Sequence, residues 1–246
     1  MSRLLLWYTG RSMDGPVVVI DYGAGNLRSV ARAIARVDAA PVVSADPSDI
    51  DRAGMLVLPG VGAAADTMSN LESRGLVQPI REYIAAGRPF LGVCMGLQAL
   101  LDWSEEGDGQ DCLGIAPGEA WRFATGELKV PHMGWNTVEL LYGHPVADGI
   151  ASSSYFYFVH SFYPVLDDQS FALGMTEYGV DFASVVAFEN VVATQFHPEK
   201  SGDDGLRLYA NFIRWARSDD FPLAHPTLAA GGAAGSGEGA TTTPWR

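Results

Sequence analysis

The stretch Phe90-Leu-Gly-Val-Cys-Met-Gly-Leu-Gln-Ala-Leu100 sets a cysteine between two glycines, where an apolar run passes directly into a helical pattern. A Gly-x-Cys-x-Gly sequence at a strand-to-helix junction has the form of the nucleophile elbow, with cysteine in place of serine. The tight turn would lift the Cys94 sulfur above the strand end, beside helix N–H groups that favour a thiolate. A buried structural cysteine is the alternative. We favour the elbow because both flanking elements match what the motif requires.

Outward from the elbow, the first half of the chain alternates strand and helix patterns. Apolar runs typical of buried strands occupy 17–20, 55–58 and 90–93, and helical spacing occupies 26–37, 75–86 and 95–103. Strands that are apolar throughout are typical of a parallel sheet buried on both faces. We therefore predict an α/β fold with an open, mostly parallel sheet flanked by helices.

The second half changes character. Segments 121–142 and 155–195 carry shorter, partly alternating apolar patterns and predict an antiparallel extension, and 204–216 predicts a closing helix. This organisation gives one domain over 17–217, preceded by an extension at 1–16. Residues 218–246 are rich in Ala, Gly, Thr and Pro. We expect this tail to be disordered, because it cannot bury enough apolar surface to offset its ordering entropy.

Composition restricts the compartment and the partners. The 246 residues are 48% hydrophobic, and the net charge of −13 disfavours nucleic acid and anionic membranes as partners. No apolar run approaches the roughly 18 residues that span a bilayer. The two cysteines, Cys94 and Cys112, cannot form a disulfide scaffold and lack metal-site spacing. We expect a cytoplasmic protein without a metal ion.

A thiol nucleophile needs a base, and the base needs an orienting group. Among the five histidines, His197 stands out because it ends an apolar run and is followed by Pro198 and Glu199. Residues two apart at a strand end can face the same way. An ordinary turn explains His-Pro-Glu taken alone, but beside the elbow the triad Cys94, His197 and Glu199 is the better explanation.

Acyl transfer also needs an oxyanion hole. Two places offer backbone N–H groups: Met95, just after the nucleophile, and the loop Pro59-Gly60-Val61-Gly62 at the end of a neighbouring strand. Ligands of open α/β sheets bind outside such strand ends. For the loop alone, a simple strand-to-helix turn remains an alternative.

The stretch Asp21-Tyr-Gly-Ala-Gly-Asn-Leu-Arg28 invites a dinucleotide-binding interpretation, because it follows a strand and opens a helix. Arg28 stands where the third glycine of that fingerprint belongs. A lone Gly-x-Gly is weak evidence, so we interpret the stretch as a tight turn and expect no nucleotide cofactor.

Together these motifs resemble the class I (triad) glutamine amidotransferases and, among them, the glutaminase subunits of imidazole glycerol phosphate synthase. The matching stretches follow the family's order across about residues 17–216: Asp21–Leu27, Leu58-Pro-Gly-Val-Gly62, Gly92-Val-Cys-Met-Gly-Leu-Gln98, Pro131-His-Met-Gly-Trp-Asn136, Tyr157-Phe-Val-His-Ser161 and Gln195-Phe-His-Pro-Glu-Lys-Ser-Gly202. The elbow and His-Pro-Glu are common to all triad amidotransferases, whereas the Pro-Gly-Val-Gly and Pro-His-Met-Gly-Trp-Asn stretches are specific to this subunit. The resemblance implies a flavodoxin-like fold.

The resemblance also implies roles for individual residues. Cys94 would attack the glutamine amide, His197 would transfer the proton, and Glu199 would orient His197. The other implied sites are the oxyanion hole (Gly60, Val61, Met95), the glutamine-binding residues (Gln98, Glu106, His160, Ser161) and the partner interface (Trp135, Asn136, Lys200). The implied partner is a (β/α)₈ cyclase subunit that receives ammonia, and no cofactor is implied. The resemblance further implies a glutaminase that is nearly silent until partner and nucleotide substrate bind.

Two features depart from the family pattern. Ala64 and Ala65 follow the Pro-Gly-Val-Gly loop where an aromatic residue is usual, and Phe162 replaces the usual Tyr. Three alternatives remain open on the sequence: a triad amidotransferase feeding anthranilate, GMP or pyridoxal phosphate synthesis, a non-catalytic module, and a cysteine hydrolase of the same elbow fold.

Overall fold

The computed structural model describes residues 15–23, 25–37, 39–126 and 128–222. Its strands are β1 Val17–Ile20, β2 Pro41–Ser44, β3 Met55–Gly60, β4 Phe90–Cys94, β5 Trp103–Ser104, β6 Gln110–Asp111, β7 Gly118–Arg122, β8 His132–Leu140, β9 Ser154–His160, β10 Phe162–Leu166, β11 Ala172–Glu177, β12 Asp181–Phe188 and β13 Val191–Thr194. Its α-helices are α1 Leu27–Ala35, α2 Pro47–Arg52, α3 Ala64–Ser73, α4 Val77–Ala85, α5 Met95–Gln98 and α6 Gly202–Ala216. Most of the predicted extension at 1–16 and tail at 218–246 lies outside the described residues.

Within the described residues, one sheet has the strand order β2-β1-β3-β4-β13-β12-β11-β8-β9. The first five strands in this order, β2, β1, β3, β4 and β13, run parallel to one another. From β13 onward each pair is antiparallel, ending in β8 and β9. The predicted mostly parallel sheet with an antiparallel extension is therefore confirmed. A smaller sheet, β10-β7-β5-β6, lies beside it and was not predicted as a separate layer.

Two apolar layers cover the parallel strands, because alternate side chains of a strand face opposite ways. Val17 and Val19 of β1 belong to the layer that includes α1 and α6. Val18 and Ile20 belong to the layer that includes α2, α3 and α4. Both faces of these strands are thus buried, which explains why the strands are apolar throughout. None of the helices in the described part of the chain has the length and hydrophobicity needed to cross a bilayer.

The helix predicted for 95–103 is shorter in the structure, where α5 ends at Gln98. The backbone carbonyls of Ala99, Leu100 and Leu101 accept hydrogen bonds from N–H groups of residues 113–116 instead of from a continuing helix. The apolar residues that suggested helical spacing are buried by this returning chain. Helix α3, which follows the Pro-Gly-Val-Gly loop, was not predicted.

Candidate active site

Cys94 ends β4 in a backbone conformation that residues other than glycine seldom adopt. Its φ is 54° and its ψ is −105°, and such a positive φ costs on the order of 1–3 kcal/mol. In the sheet, Cys94 pairs with Gly60 at the end of β3, and Val93 pairs with Thr194 at the end of β13. The sulfur therefore lies where three parallel strands end side by side.

The two glycines of the elbow are required by close backbone contacts. A Cβ atom on Gly92 would lie 2.7 Å from the carbonyl oxygen of Gly96, and a Cβ atom on Gly96 would collide with the carbonyl oxygen of Leu58. The start of α5 thus packs directly on β3 and β4. This packing explains the Gly-x-Cys-x-Gly spacing without any appeal to loop flexibility.

His197 and Glu199 form a buried pair immediately beyond β13. Nδ1 of His197 donates a hydrogen bond to Oε1 of Glu199 over 2.8 Å, and both side chains are almost wholly buried. The pair is set by a 3₁₀ turn at Pro198–Lys200. Because Nδ1 is occupied, Nε2 is the ring nitrogen left for proton transfer, and it makes no hydrogen bond with the described residues.

The two side chains shift each other's pKa. Burial alone would lower the pKa of His197, but the neighbouring Cys94 sulfur and the Glu199 carboxylate outweigh it and raise the pKa to about 9. Burial alone would raise the pKa of Glu199, but the hydrogen bond and charge of His197 outweigh it and lower the pKa. The site therefore favours a protonated imidazole beside an ionised carboxylate at neutral pH.

Two further residues contact Glu199, and no role was predicted for either of them from the sequence. Nδ2 of Asn26 donates to Oε1 over 3.1 Å, and the Tyr209 hydroxyl donates to Oε2 over 3.5 Å. Asn26 directly precedes α1 and belongs to the glycine-rich stretch interpreted as a turn. Its position after β1 could have identified it, because the carboxyl ends of parallel strands meet at one edge of the sheet.

The predicted oxyanion-hole residues surround the nucleophile. Gly60 lies directly across from Cys94, and Met95 is the first residue of α5. A Cβ atom on Gly60 would lie 2.9 Å from the Tyr22 hydroxyl, so glycine is needed where the loop passes that ring. Burial raises the pKa of Tyr22 to about 12, which keeps the hydroxyl protonated. Val61 is more open, with 37% of its surface exposed.

Two of the predicted glutamine-binding residues lie near the predicted oxyanion hole, Gln98 at the end of α5 and Glu106 beside the start of α3. Gln98 is buried at the end of α5, and its Oε1 makes no hydrogen bond with the described residues. An acceptor left in this way suits the ammonium group of an amino-acid substrate. Oε2 of Glu106 accepts a hydrogen bond from the Ala64 N–H over 2.6 Å. Glu106 therefore anchors the residue that begins α3, just after the loop Pro59–Gly62, which we call the oxyanion loop.

His160 and Ser161 lie where β9 passes into β10, and the ring of His160 is buried. Its Nδ1 lies 2.8 Å from the carbonyl oxygen of Phe162 and must carry the hydrogen, because a carbonyl only accepts. Its Nε2 lies 2.9 Å from Nδ1 of His132. Ser161 is half-buried between the two strands. The ring of His160 thus orders this segment and does not present a free donor to a substrate.

The three predicted interface residues divide into two groups. Trp135 is 56% exposed, and its ring meets that of Tyr157 at 6.2 Å, edge to face. Nζ of Lys200 lies 5.6 Å from the centre of the same Tyr157 ring. Asn136 instead turns inward, donating to the carbonyl oxygen of Glu177 over 2.9 Å and approaching Nε2 of His132 at 3.3 Å. The structure brings Trp135 and Lys200 together on one surface and separates Asn136 from them.

Known proteins of one enzyme family are similar to this chain over most of its length. The model of the class-I glutamine amidotransferase family matches residues 18–215. The chain is 46% identical to the imidazole glycerol phosphate synthase subunit HisH of Dehalococcoides mccartyi, over 82% of this chain and 98% of that protein. It is 49% identical to the protein of the same name from Nitrosococcus oceani, over 81% of this chain and 97% of that one.

Solved structures show the same fold at low identity. A crystal structure of a glutamine amidotransferase matches 81% of this chain and 98% of its own, with a TM-score of 0.63 and 21% identity. A chain of PurLQS from Thermotoga maritima matches 82% of this chain and 99% of its own, with a TM-score of 0.66 and 18% identity. On the family match and the identities with the HisH proteins, this chain belongs to the class-I glutamine amidotransferases and, within them, to the family of the imidazole glycerol phosphate synthase subunit HisH.

Proposed function

We propose that this chain is the glutaminase subunit of an imidazole glycerol phosphate synthase. It hydrolyses glutamine to glutamate and passes the ammonia to a (β/α)₈ cyclase subunit, which makes imidazole glycerol phosphate and AICAR in histidine biosynthesis. The observation that carries this proposal is the buried His197–Glu199 pair beside the Cys94 elbow, in a chain that spans 98% of a HisH relative. We place the reaction in the cytoplasm because of the cysteine composition.

The first half of the reaction forms a thioester. The Cys94 thiolate attacks the carbon of the glutamine side-chain amide, and the carbonyl electron pair moves to oxygen. The N–H of Met95 and a peptide N–H of the Gly60–Val61 loop stabilise this oxyanion. As the C–N bond breaks, the nitrogen takes the proton from Nε2 of His197 and leaves as ammonia. A His197 pKa raised to about 9 keeps that proton in place at neutral pH.

The second half releases glutamate. His197, now neutral, takes a proton from water, and the hydroxyl group attacks the thioester carbon. The C–S bond breaks, glutamate leaves, and the thiolate and the imidazolium are restored together. Glu199 stays ionised throughout and keeps Nε2 directed at the reacting atoms, as the orienting group of a triad does.

Substrate binding rests on the groups around the sulfur. The unpartnered Oε1 of Gln98 accepts from the α-ammonium group of glutamine, and Glu106 adds negative charge near it. Ser161 supplies a hydroxyl donor for the α-carboxylate. The Gly60–Val61 peptide is the switch: turned away at rest, it faces the oxyanion when the partner and its nucleotide substrate are bound.

Glutamate release is the direct test. Wild type, Cys94→Ser and the matched control Cys112→Ser are each assayed alone, with the purified cyclase subunit, and with cyclase plus its nucleotide substrate. We expect strong stimulation by cyclase and nucleotide in wild type and Cys112→Ser, and none in Cys94→Ser. Cys112 is the matched control because it is also a buried cysteine without a disulfide bond. Strong activity without a partner would overturn the silent-subunit part of the proposal, and no activity in any mixture would overturn the glutaminase itself.

The partner surface is tested separately. Trp135 is an exposed aromatic beside the exposed Met133 and Tyr155 of β8 and β9, the kind of residue that dominates binding energy at interfaces. Trp135→Ala should weaken binding to the cyclase by about 2 kcal/mol or more, seen as a higher cyclase concentration for half-maximal stimulation. Trp121→Ala is the control, since Trp121 is 41% exposed but lies on the smaller sheet. If the two variants changed the cyclase concentration for half-maximal stimulation equally, the effect would not be specific to Trp135 and the interface would lie elsewhere.

A further inference from the structure

The Cys94 sulfur has a neighbour that belongs to neither the triad nor the oxyanion loop. Gln195 follows β13 and is completely buried, and its Nε2 donates to Sγ of Cys94 over 3.6 Å. The sulfur also lies 4.0 Å from the carbonyl oxygen of Val159. Gln195 and His197 are two residues apart at the end of one strand, so both can face the sulfur.

The orientation of the Gln195 amide is set by a chain of donors and acceptors. The carbonyl oxygen of Phe162 can only accept, so Gln98 directs its Nε2 to it, at 2.9 Å. The same Nε2 donates to Oε1 of Gln195 over 3.0 Å. With its oxygen engaged in this way, Gln195 must direct its nitrogen to Cys94. The opposite orientation would put two NH₂ groups against each other.

We infer that Gln195 is a positioning residue for the nucleophile: it holds the Cys94 sulfur by an N–H···S hydrogen bond that is strongest when the sulfur is a thiolate, and Gln98 sets its orientation. A hydrogen bond to the charged form of a group favours that form. The bond acts twice in the reaction described above, on which this inference rests. It stabilises the thiolate before attack and again when the thiolate leaves the thioester.

Buried glutamine is otherwise a poor choice at this position. Packing alone would be served by an apolar side chain, and burying a polar amide is unfavourable unless its groups are hydrogen-bonded. Here Oε1 has Gln98 as its donor, and Nε2 is directed to the sulfur. The arrangement also explains why Gln98 leaves its own Oε1 free, because both acceptors it serves require its nitrogen.

The test measures the reactivity of Cys94 without glutamine or partner. In the Cys112→Ser background, alkylation by iodoacetamide is followed against pH for Gln195→Met, Gln195→Leu and the control Gln78→Met on the exposed face of α4. We expect both Gln195 variants to raise the pH of half-maximal alkylation by about one unit, a roughly tenfold loss of thiolate at a given pH. The control should leave the profile unchanged, and the rate at the alkaline plateau should not fall in any variant.

A further variant covers the case in which neither Gln195 variant folds. Gln98→Met removes the donor that orients Gln195 and should shift the profile in the same direction by a smaller amount. An unchanged midpoint in the folded variants overturns the inference, even if glutaminase activity is present. A shifted midpoint in a protein that releases no glutamate with cyclase and nucleotide would leave the inference standing and overturn the proposed function.

Discussion

At the scale of single residues, two of the candidate catalytic groups, Glu199 and Cys94, are contacted by residues from distant parts of the chain. Asn26 lies 173 positions from Glu199, and Gln195 lies 101 positions from Cys94. Sequence motifs predicted the triad Cys94, His197 and Glu199 because Gly-x-Cys-x-Gly and His-Pro-Glu are local patterns. The supporting residues have no local signature, since their partners become neighbours only when strand ends meet in the sheet.

The pKa of His197 leads to a prediction about pH. A pKa raised to about 9 means that His197 keeps its proton at neutral pH and loses it as the pH rises through that value. We expect kcat/KM to fall on the alkaline side of about pH 9, because ammonia then leaves without its proton donor. Glu199→Gln should move this fall to lower pH, because the lost carboxylate helps to hold the proton. Profiles of kcat/KM against pH for the two stimulated enzymes check this, and an unmoved alkaline limb would contradict it.

Asn26 gives a second prediction. Asn26→Leu removes the donor to Oε1 of Glu199, which leaves the carboxylate less firmly held. A hydrogen bond to a charged group contributes about 1.5–3 kcal/mol, so we expect kcat to fall at least tenfold. Stimulated turnover at saturating glutamine is the measurement. Asn70→Leu on α3 is the matched control, and equal losses in the two variants would show that the Asn26 contact is not specific.

At the scale of elements, the junction of β4 and α5 depends on Gly96. Gly96→Ala drives a Cβ into the Leu58 carbonyl of β3, so we expect the free energy of unfolding to drop by about 2–4 kcal/mol. Gly143→Ala is the control, because a Cβ there meets nothing within 4 Å, and it should change stability by less than about 0.5 kcal/mol. Urea unfolding of both proteins distinguishes them, and a neutral Gly96→Ala would mean that α5 can move away from β3.

Helices and strands were predicted correctly where the hydrophobic pattern of the sequence reflects burial in the fold. Strands β1, β3 and β4 were found because both of their faces are buried, which makes every residue apolar. The run Leu97–Leu101 led to a predicted helix that is too long. Beyond Gln98 the chain pairs with the returning segment 113–116 instead of continuing the helix. The stretch that contains Asn26 was interpreted as a tight turn instead of a cofactor motif, and this interpretation removed Asn26 from consideration as a site residue. Gln195 could have been predicted to face Cys94, because the alternation that places His197 and Glu199 on one side of the strand end also includes Gln195.

At the scale of the whole molecule, the buried His132 and His160 and the half-buried His144 make the fold sensitive to acid. Burial lowers the pKa of His132 and His144 to about 4, and that of His160 to about 3. In the unfolded chain these groups titrate near 6.5, so below that pH the unfolded state binds protons that the folded state does not. Stability should therefore fall as the pH drops from about 6.5 toward 4. The contribution of His197 has the opposite sign and is already complete below 6.5, so it does not reduce this slope.

Each of the three histidines contributes up to about 1.4 kcal/mol per pH unit in that range. Urea unfolding at about pH 7, 6 and 5 should show the decline. His144→Asn should make the slope shallower, because asparagine can still accept the hydrogen bond from the Val146 N–H but does not titrate. A slope equal to that of wild type would mean that His144 is not one of the groups responsible.

The chain of polar groups that meets at the Phe162 carbonyl has one more consequence. One hydrogen-bond path leads from Asn136 through His132 and His160 to this oxygen, and Nε2 of Gln98 donates to the same oxygen. Both imidazoles are neutral at neutral pH because burial lowers their pKa. A carbonyl has no hydrogen to hand on, so this path cannot conduct protons between the surface and the thiol. The buried histidines of this path therefore hold the segment between β9 and β10 in place without providing a second route for protons to the sulfur.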